Sequence, residues 1–115
     1  AVRQTAGRGR QGREWFDGAG NFMGSTLVRL SPADPPAASF ALTAALAVYE
    51  AVIPLLPDPS ALRLKWPNDL TFAGAKLAGI LLEREGEALV VGIGVNLAKA
   101  PVIEGRATLA LAELV

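Results

Sequence analysis

The pattern of apolar and polar residues along this chain predicts several strands with one or more helices packed on them. Asn21–Leu30 mixes apolar residues with Ser and Thr after a Gly-rich stretch, which predicts a strand. Three prolines between residues 31 and 36 mark a connection. From Ala37 to Val52, apolar residues recur at helical spacing over a wide surface. We therefore expect a helix there, packed on a sheet.

The second half of the chain predicts mostly antiparallel strands. Leu62, Leu64 and Trp66 alternate with Arg63 and Lys65, as in a half-buried strand. The further predicted elements are a short strand at Leu70–Phe72, a reversal at Ala73-Gly74, adjacent antiparallel strands at Leu77–Leu82 and Ala88–Val95 around a polar loop, and a helix beginning in Thr108–Leu114. This order predicts an α+β fold in which helices pack on a mainly antiparallel or mixed sheet.

The composition of the chain limits the kinds of binding site and catalytic group that it can have. A chain of 115 residues that is 51% hydrophobic fits one domain with an apolar core. Eleven basic and eleven acidic residues give no net charge, so the field needed for broad nucleic-acid binding is absent. The chain has no Cys and no His, which excludes disulfides, thiol or Ser-His catalysis and the usual zinc sites. Lys, Arg, Asp, Glu and backbone groups remain for catalysis.

The apolar run from Phe40 to Leu56 is too short and too interrupted to span a membrane. The chain shows no secretory signal. The absence of cysteine suits a reducing compartment. We therefore expect a cytoplasmic protein without a membrane partner.

A Gly/Arg segment near the start, Gly7-Arg8-Gly9-Arg10-Gln11-Gly12-Arg13-Glu14-Trp15, is typical of an anion-binding loop. Its glycines let the backbone approach a ligand closely, and its guanidinium groups donate hydrogen bonds to phosphate or carboxylate. The alternatives are a flexible solvated loop and an RNA-binding Gly/Arg tail.

A second polar group follows in Lys65-Trp66-Pro67-Asn68-Asp69 and Lys76. It places a cation, an amide and a carboxylate at one strand end, with a further lysine at the start of an apolar strand. The alternative is a structural turn with Trp66 in the core and Lys76 exposed. Gly92 and Gly94 indicate close approach of backbone or ligand, or else only tight sheet packing.

These blocks occur in a characteristic order. They are Gln4 with Gly7-Arg8-Gly9-Arg10, Gly12-Arg13 and Trp15, then Lys65-Trp66-Pro67-Asn68-Asp69, then Lys76-Leu77-Ala78-Gly79-Ile80-Leu81, and finally Gly92-Ile93-Gly94-Val95-Asn96. In this order and spacing they closely resemble the catalytic core of biotin protein ligases, over nearly the whole chain. The resemblance implies a fold like that of class II aminoacyl-tRNA synthetases.

The resemblance also implies an activity. Such enzymes use ATP and Mg²⁺ to convert biotin into biotinyl-adenylate, and then transfer biotin to a lysine of a biotin carboxyl carrier protein. It implies that Lys76 contacts the reacting carboxyl and α-phosphate oxygens, that Arg10 stabilises phosphate charge, and that Asp69 orients or helps deprotonate the acceptor amine. The implied biotin and adenylate pocket comprises Gln4, Gly7, Arg8, Gly9, Arg13, Trp15, Lys65, Asn68, Gly79, Ile80, Gly92, Gly94 and Asn96. Its metal ligands are unassigned.

On this interpretation, residues 1–115 form a single partial catalytic domain without an N-terminal DNA-binding domain or a C-terminal β-domain. DNA is not an expected partner, and a homodimer is left open. Three alternatives remain: a lipoate ligase relative, a nonenzymatic nucleotide- or RNA-binding module, and an inactive structural fragment.

Overall fold

The computed structural model describes all 115 residues, and its centre is one antiparallel sheet of five strands. The elements are β1 (Phe22–Arg29), α1 (Ser39–Val52), β2 (Leu62–Lys65), β3 (Asp69–Phe72), β4 (Ala75–Glu85) and β5 (Ala88–Val95), with short 3₁₀ turns at Arg10–Gly12, Ile53–Leu55 and Leu111–Glu113. The strands lie in the order β1-β5-β4-β3-β2. The predicted α+β fold is confirmed, as are the helix predicted within Ala37–Val52 and the β4–β5 pairing.

The helix covers one face of the sheet because its apolar positions repeat every three or four residues. Ala41, Ala45, Val48 and Val52 are its buried residues. They face buried strand residues that include Leu70, Leu77, Ile80, Leu89 and Val95. The core therefore lies between α1 and the sheet. No helix combines the length and the apolar character that crossing a bilayer requires.

The opposite, open face of the sheet carries a row of small and charged residues that begins at the buried Met23. Paired positions across the five strands run Met23, Gly94, Gly79, Asp69 and Lys65. Directly paired residues share a face, so this row lies on the side away from α1. The Gly/Arg segment lies against this face.

Three predictions about single elements were wrong, and the first concerns the segment that follows Thr108. The helix expected from Thr108 is absent, because backbone groups of this segment pair with β4 instead: Lys76 N donates to Ala107 O at 2.9 Å, and Leu109 N donates to Lys76 O at 2.9 Å. Only the turn at Leu111–Glu113 is helical, so α1 is the single α-helix.

The half-buried pattern expected for β2 holds only at Leu62. Leu64 is 42% exposed and Trp66 is 76% exposed, because β2 is an edge strand and α1 covers only its start. Trp66 is thus not a core residue. The polar loop between β4 and β5 is also shorter than expected, since β4 continues to Glu85 and the chain reverses at Gly86, whose φ is +59°.

Local hydrogen bonds hold the connection that leads into β2. Ser60 N donates to Asp58 Oδ1 at 2.9 Å, and this bond keeps the pKa of the Asp58 carboxyl below its ordinary value. Arg63 Nη1 donates to Ser60 O at 2.7 Å. These bonds order the turn directly before β2, and the antiparallel ladder then pairs β2 with β3.

Candidate functional site

A β-bulge determines where Lys76 lies. Asp69 pairs with Gly79 and Leu70 with Ala78, but Thr71 then pairs with Lys76 rather than with Leu77. With regular pairing, Lys76 would lie opposite Phe72, whose face is covered by α1. The extra residue moves Lys76 to the open face, beside Asp69 and Thr71.

Lys76 and Asp69 form the most enclosed ion pair of the protein. Lys76 Nζ lies 3.1 Å from Asp69 Oδ1, and each side chain is only 18% exposed. The Trp15 ring lies over the ammonium group, with 5.3 Å between Nζ and the ring centroid. The pair and the ring fix a cation at the centre of the open face.

The Gly/Arg segment forms a hairpin-like loop across that face. Trp15 N donates to Gly7 O at 3.1 Å, and Gly9 N donates to Arg13 O at 2.6 Å. At the tip, Gln11 and Gly12 have φ of 60° and 72°, so the backbone turns there in the left-handed region. The loop therefore has a defined conformation of its own.

Two arginines of the loop contact the sheet. Arg8 Nη2 lies 2.7 Å from Glu83 Oε2 on β4. Arg10 Nη1 donates to Asn68 Oδ1 at 3.3 Å. Arg13 donates only to Gln11 within the loop, and it remains the free guanidinium at the tip.

Trp15 packs directly on the glycines of β4 and β5. A Cβ at Gly94 would lie within 2.5 Å of Trp15 Cζ2 and Nε1, and a Cβ at Gly79 would lie 3.0 Å from Trp15 Cζ3. Gly92 is different, because an added Cβ would find only ordinary contacts there, 3.5 Å from Leu81 O. Close approach by the loop is thus the reason for glycine at 79 and 94.

Asn68 is held by the backbone of β4. Its Nδ2 donates to Ile80 O at 2.6 Å, and Ile80 N donates to Asn68 O at 2.9 Å. The Ile80 side chain itself is buried in the core under α1. Ile80 therefore contributes to the site through its backbone, which aims the Asn68 amide oxygen at Arg10.

One cavity of about 1110 Å³ lies between the loop and the sheet. Every site residue named from the sequence lines it, apart from Lys65. Lys65 instead lines an adjoining cavity of about 350 Å³, which also contains Asp69 and Lys76. The fold thus brings together blocks that are far apart in the sequence.

Two buried acceptors in the large cavity have no hydrogen-bond partner. They are Gln4 Oε1 and Asn96 Oδ1, and Asn96 as a residue is only 2% exposed. A buried acceptor without a partner costs roughly 1–3 kcal/mol. Both atoms are therefore suited to accept a hydrogen bond from a bound molecule.

Among the charged residues of the cavity that sequence reasoning missed are Glu83 and Arg106. Glu83 was assigned to a polar loop, although it lies on β4 and pairs with Arg8. Arg106 lies in a segment without periodicity, where a single arginine gives no signal. Only the pairing of that segment with Lys76 brings Arg106 to the site.

Known proteins are similar to this chain in sequence and in fold. The model of the biotin/lipoate A/B protein ligase family matches residues 1–98. A biotin–[acetyl-CoA-carboxylase] ligase from Paracoccus denitrificans is 48% identical over 106 residues, which are 88% of this chain and 44% of that protein. The present chain therefore spans less than half the length of this relative.

Two solved structures have the same fold. The biotin protein ligase from Aquifex aeolicus in complex with biotin and ATP matches with a TM-score of 0.83 and 34% identity, over 97% of this chain and 48% of that one. The Leishmania major enzyme in complex with biotinyl-5-AMP matches with a TM-score of 0.81 and 30% identity, over 97% and 51% of the two chains. With the family model matched over most of its length, the chain belongs to the biotin/lipoate A/B protein ligase family.

Proposed function

We propose that this chain carries the catalytic core of an enzyme that ligates biotin to a lysine of a biotin carboxyl carrier protein, using ATP and passing through biotinyl-5'-adenylate. The observation that carries the proposal is the Lys76–Asp69 pair, 3.1 Å apart beneath Trp15, in a cavity lined by the Gly/Arg loop. The name of the relative, biotin–[acetyl-CoA-carboxylase] ligase, supplies the acceptor class, acetyl-CoA carboxylase.

In the first step, a biotin carboxylate oxygen attacks the α-phosphorus of ATP, the bond from this phosphorus to the bridging oxygen breaks, and pyrophosphate leaves with the electron pair. Negative charge accumulates on the phosphate oxygens, and a cation fixed in advance lowers that barrier. Lys76 is suited to this role because the bulge, Asp69 and Trp15 hold its ammonium group on the open face. Arg10, directed by Asn68, is the second cation of the proposal.

The Gly/Arg loop would exclude water from the adenylate. A mixed anhydride is hydrolysed readily, so a cover over the cavity prevents wasteful loss. The loop already lies over the sheet with Trp15 against Gly79 and Gly94. Its attachments at Arg8 and Arg10 are exposed, which suits a segment that opens for entry and release.

In the second step, a neutral lysine amine attacks the carbonyl carbon of the adenylate, and AMP leaves. Asp69 is the carboxylate nearest to the proposed reaction centre and would orient the amine or accept its proton. Its contact with Lys76 gives it a further role, since it positions the lysine during the first step.

The two buried acceptors without partners, Gln4 Oε1 and Asn96 Oδ1, would recognise hydrogen-bond donors of the substrates. Biotin presents ureido N–H groups, and adenine presents an amino group, so both substrates offer donors to Gln4 Oε1 and Asn96 Oδ1. We propose that these two atoms bind the substrates, one for each. The remaining predicted contacts of the pocket are part of the same proposal.

Mg²⁺ enters the proposal only as the ion that accompanies ATP. No three His, Cys, Asp or Glu side chains come together as a candidate metal site. Mg²⁺ in nucleotide sites is commonly bound by phosphate oxygens and water. The proposal keeps the cytoplasmic location expected from the sequence.

The test is biotin-dependent exchange of labelled pyrophosphate into ATP, measured for the chain and for Lys76→Ala. We expect exchange with biotin and not with lipoate, and a loss of about 100- to 1000-fold in the variant, the usual effect of removing one donor that stabilises transition-state charge. Lys99→Ala is the matched control, because Lys99 is exposed and lines neither cavity.

The outcomes separate the alternatives. Exchange with lipoate alone would reassign the substrate within the family. RNA binding that weakens with salt, without any exchange or biotin binding by the folded chain, would favour a nonenzymatic module. Equal loss in Lys76→Ala and Lys99→Ala would contradict the role given to Lys76.

A further inference from the structure

Asn21 is a buried polar residue that the proposed contacts with substrate do not use. It is 8% exposed and lines neither cavity. It stands directly before β1, where the antiparallel pairing of β1 with β5 ends at Phe22 and Val95. Continuing that register by one residue places Asn21 opposite Asn96. Asn96 is the residue whose buried Oδ1 has no hydrogen-bond partner.

The side chain of Asn21 replaces the backbone pairing that stops at this point. Its Oδ1 accepts hydrogen bonds from Ala98 N at 2.9 Å and from Lys99 N at 3.1 Å. Its Nδ2 donates to Lys99 O at 2.7 Å. All three bonds reach backbone groups of the segment 97–99, which directly follows Asn96. A single amide therefore joins this segment to the start of β1.

The turn before β1 packs closely on Asn21 and on the segment that it holds. An added Cβ at Gly18 would lie 2.5 Å from Asn21 Nδ2. At Gly20, whose φ is +86°, an added Cβ would lie 2.9 Å from the Cβ of Ala98. Both distances are shorter than van der Waals contact. Glycine at these two positions therefore lets the turn approach the segment 97–99.

The other side of Asn96 is held by β4. Asn96 N donates to Leu77 O at 2.8 Å, and Asn96 Nδ2 donates to Lys76 O at 3.4 Å. These bonds fix the residue relative to β4, while the bonds of Asn21 fix the chain that leaves it. With both sets of bonds made, Oδ1 is the acceptor of this residue that is left for a bound molecule.

We propose that Asn21 is a positioning residue, which orients Asn96 for a hydrogen bond with substrate by holding the segment 97–99 against the start of β1. The proposal rests on the proposed function, in which Asn96 Oδ1 accepts a hydrogen bond from biotin or from adenine. Asn21 does not line the cavity and does not touch the substrate. A change at Asn21 should therefore act through Asn96 and weaken only the substrate that Asn96 binds.

The experiment is a double-mutant cycle on Asn21 and Asn96, with biotin and AMP binding measured by calorimetry. Asn96→Ala removes the acceptor and identifies its substrate. Asn21→Asp keeps the size of the side chain but places an oxygen, instead of the Nδ2 donor, beside Lys99 O. We expect it to weaken the same substrate about two- to tenfold, the usual contribution of one hydrogen bond. In the Asn96→Ala background it should cause no further loss.

Two further variants make the cycle conclusive. Asn21→Ser is smaller and uncharged, and it should give the same selective loss where the buried charge of Asn21→Asp unfolds the chain. Leu62→Ala is the control for lost stability alone, because Leu62 is buried in the core and lines neither cavity. We expect a lower thermal midpoint in this control, with both ligand affinities of the folded chain unchanged.

A measurement without ligand separates this proposal from the proposed function. In heteronuclear NMR spectra, the side-chain amide resonances of Asn96 should shift in both Asn21 variants and stay in place in Leu62→Ala. If the folded parent binds neither biotin nor AMP, the proposed function fails. Shifted Asn96 resonances would then still support the positioning of Asn96 by Asn21.

Three results would overturn the proposal. The first is a loss in Asn21→Asp that is equal for biotin and AMP, or that adds fully to the loss in Asn96→Ala. The second is unchanged binding of both ligands in both Asn21 variants, with Asn96 resonances that do not move. The third is unchanged binding of both ligands in Asn96→Ala, because Asn21 would then have no substrate contact to orient.

Discussion

Gly94 and Gly92 stand two residues apart on β5, but only Gly94 supports a close contact of the loop. We predict that Gly94→Ala displaces Trp15, because the new Cβ would lie within 2.5 Å of the ring. The loss of the Trp15–Lys76 contact removes about 0.5–2 kcal/mol of cation–π attraction. The measurement is Trp15 fluorescence in a Trp66→Phe background, where emission should shift to the red and biotin affinity should fall.

Gly92→Ala is the matched control for this substitution. Its Cβ would lie 3.5 Å from Leu81 O, an ordinary contact distance. We expect the Trp15 emission to stay unchanged, with a thermal midpoint close to that of the parent. Identical spectra for the two alanine variants would show that the Trp15 ring does not depend on Gly94.

Single residues also mark the limit of what the sequence could predict about the site. Lys76, Asp69, Asn68 and the loop arginines form dense, ordered blocks, so their chemistry was recognisable. Which face Lys76 occupies was not predictable, because one extra residue in the pairing of β3 and β4 decides it. Glu83 and Arg106 lack such surroundings and were found only through their contacts.

Among the elements, the Gly/Arg loop is fastened to β4 by one exposed ion pair. Arg8 and Glu83 are 64% and 47% exposed at the side chain, so their pair contributes at most about 1 kcal/mol. We predict that Glu83→Gln increases the rate of trypsin cleavage in the loop by up to about fivefold, which corresponds to that energy. The thermal midpoint of the domain should not change, because the loop buries little of the core.

Glu85→Gln serves as control, since Glu85 lies on the same strand, is exposed and forms no ion pair. High salt should bring the cleavage rate of the parent close to that of Glu83→Gln, because ions screen an exposed pair. Equal cleavage of the two glutamine variants at low salt would refute this attachment of the loop.

The elements differ in how well the local sequence pattern predicted them. α1 and β5 have strong apolar periodicity, and both were predicted within one or two residues. The segment after Thr108 has helical composition, yet its backbone completes the sheet beside Lys76. Trp66 follows an alternating pattern, yet it lies exposed at the edge of the sheet. In both cases long-range placement in the sheet overrode local preference.

The stability of the whole molecule depends on a small core, because α1 is the only α-helix and only 22 of 115 residues are buried. The open face adds little to this core, since glycines and charged groups of the site occupy most of it beside the buried Met23. Stability therefore depends on the few fully buried side chains under α1, among them Leu70, Leu77 and Leu62. Total stabilities of domains are only about 5–15 kcal/mol, so one core residue is a large share.

We predict that Leu70→Ala lowers the free energy of unfolding by about 2–5 kcal/mol, the usual cost of a cavity in a core. Leu64 is its cross-strand partner but is 42% exposed, so Leu64→Ala should cost less than about 1 kcal/mol. Guanidinium unfolding followed by circular dichroism would measure both. Similar losses in the two variants would mean that burial under α1 does not carry the stability. A large loss in Leu70→Ala alone would show that burial against α1 keeps β3 folded. Because Asp69 is the neighbouring residue on β3, its position on the open face would then depend on that burial.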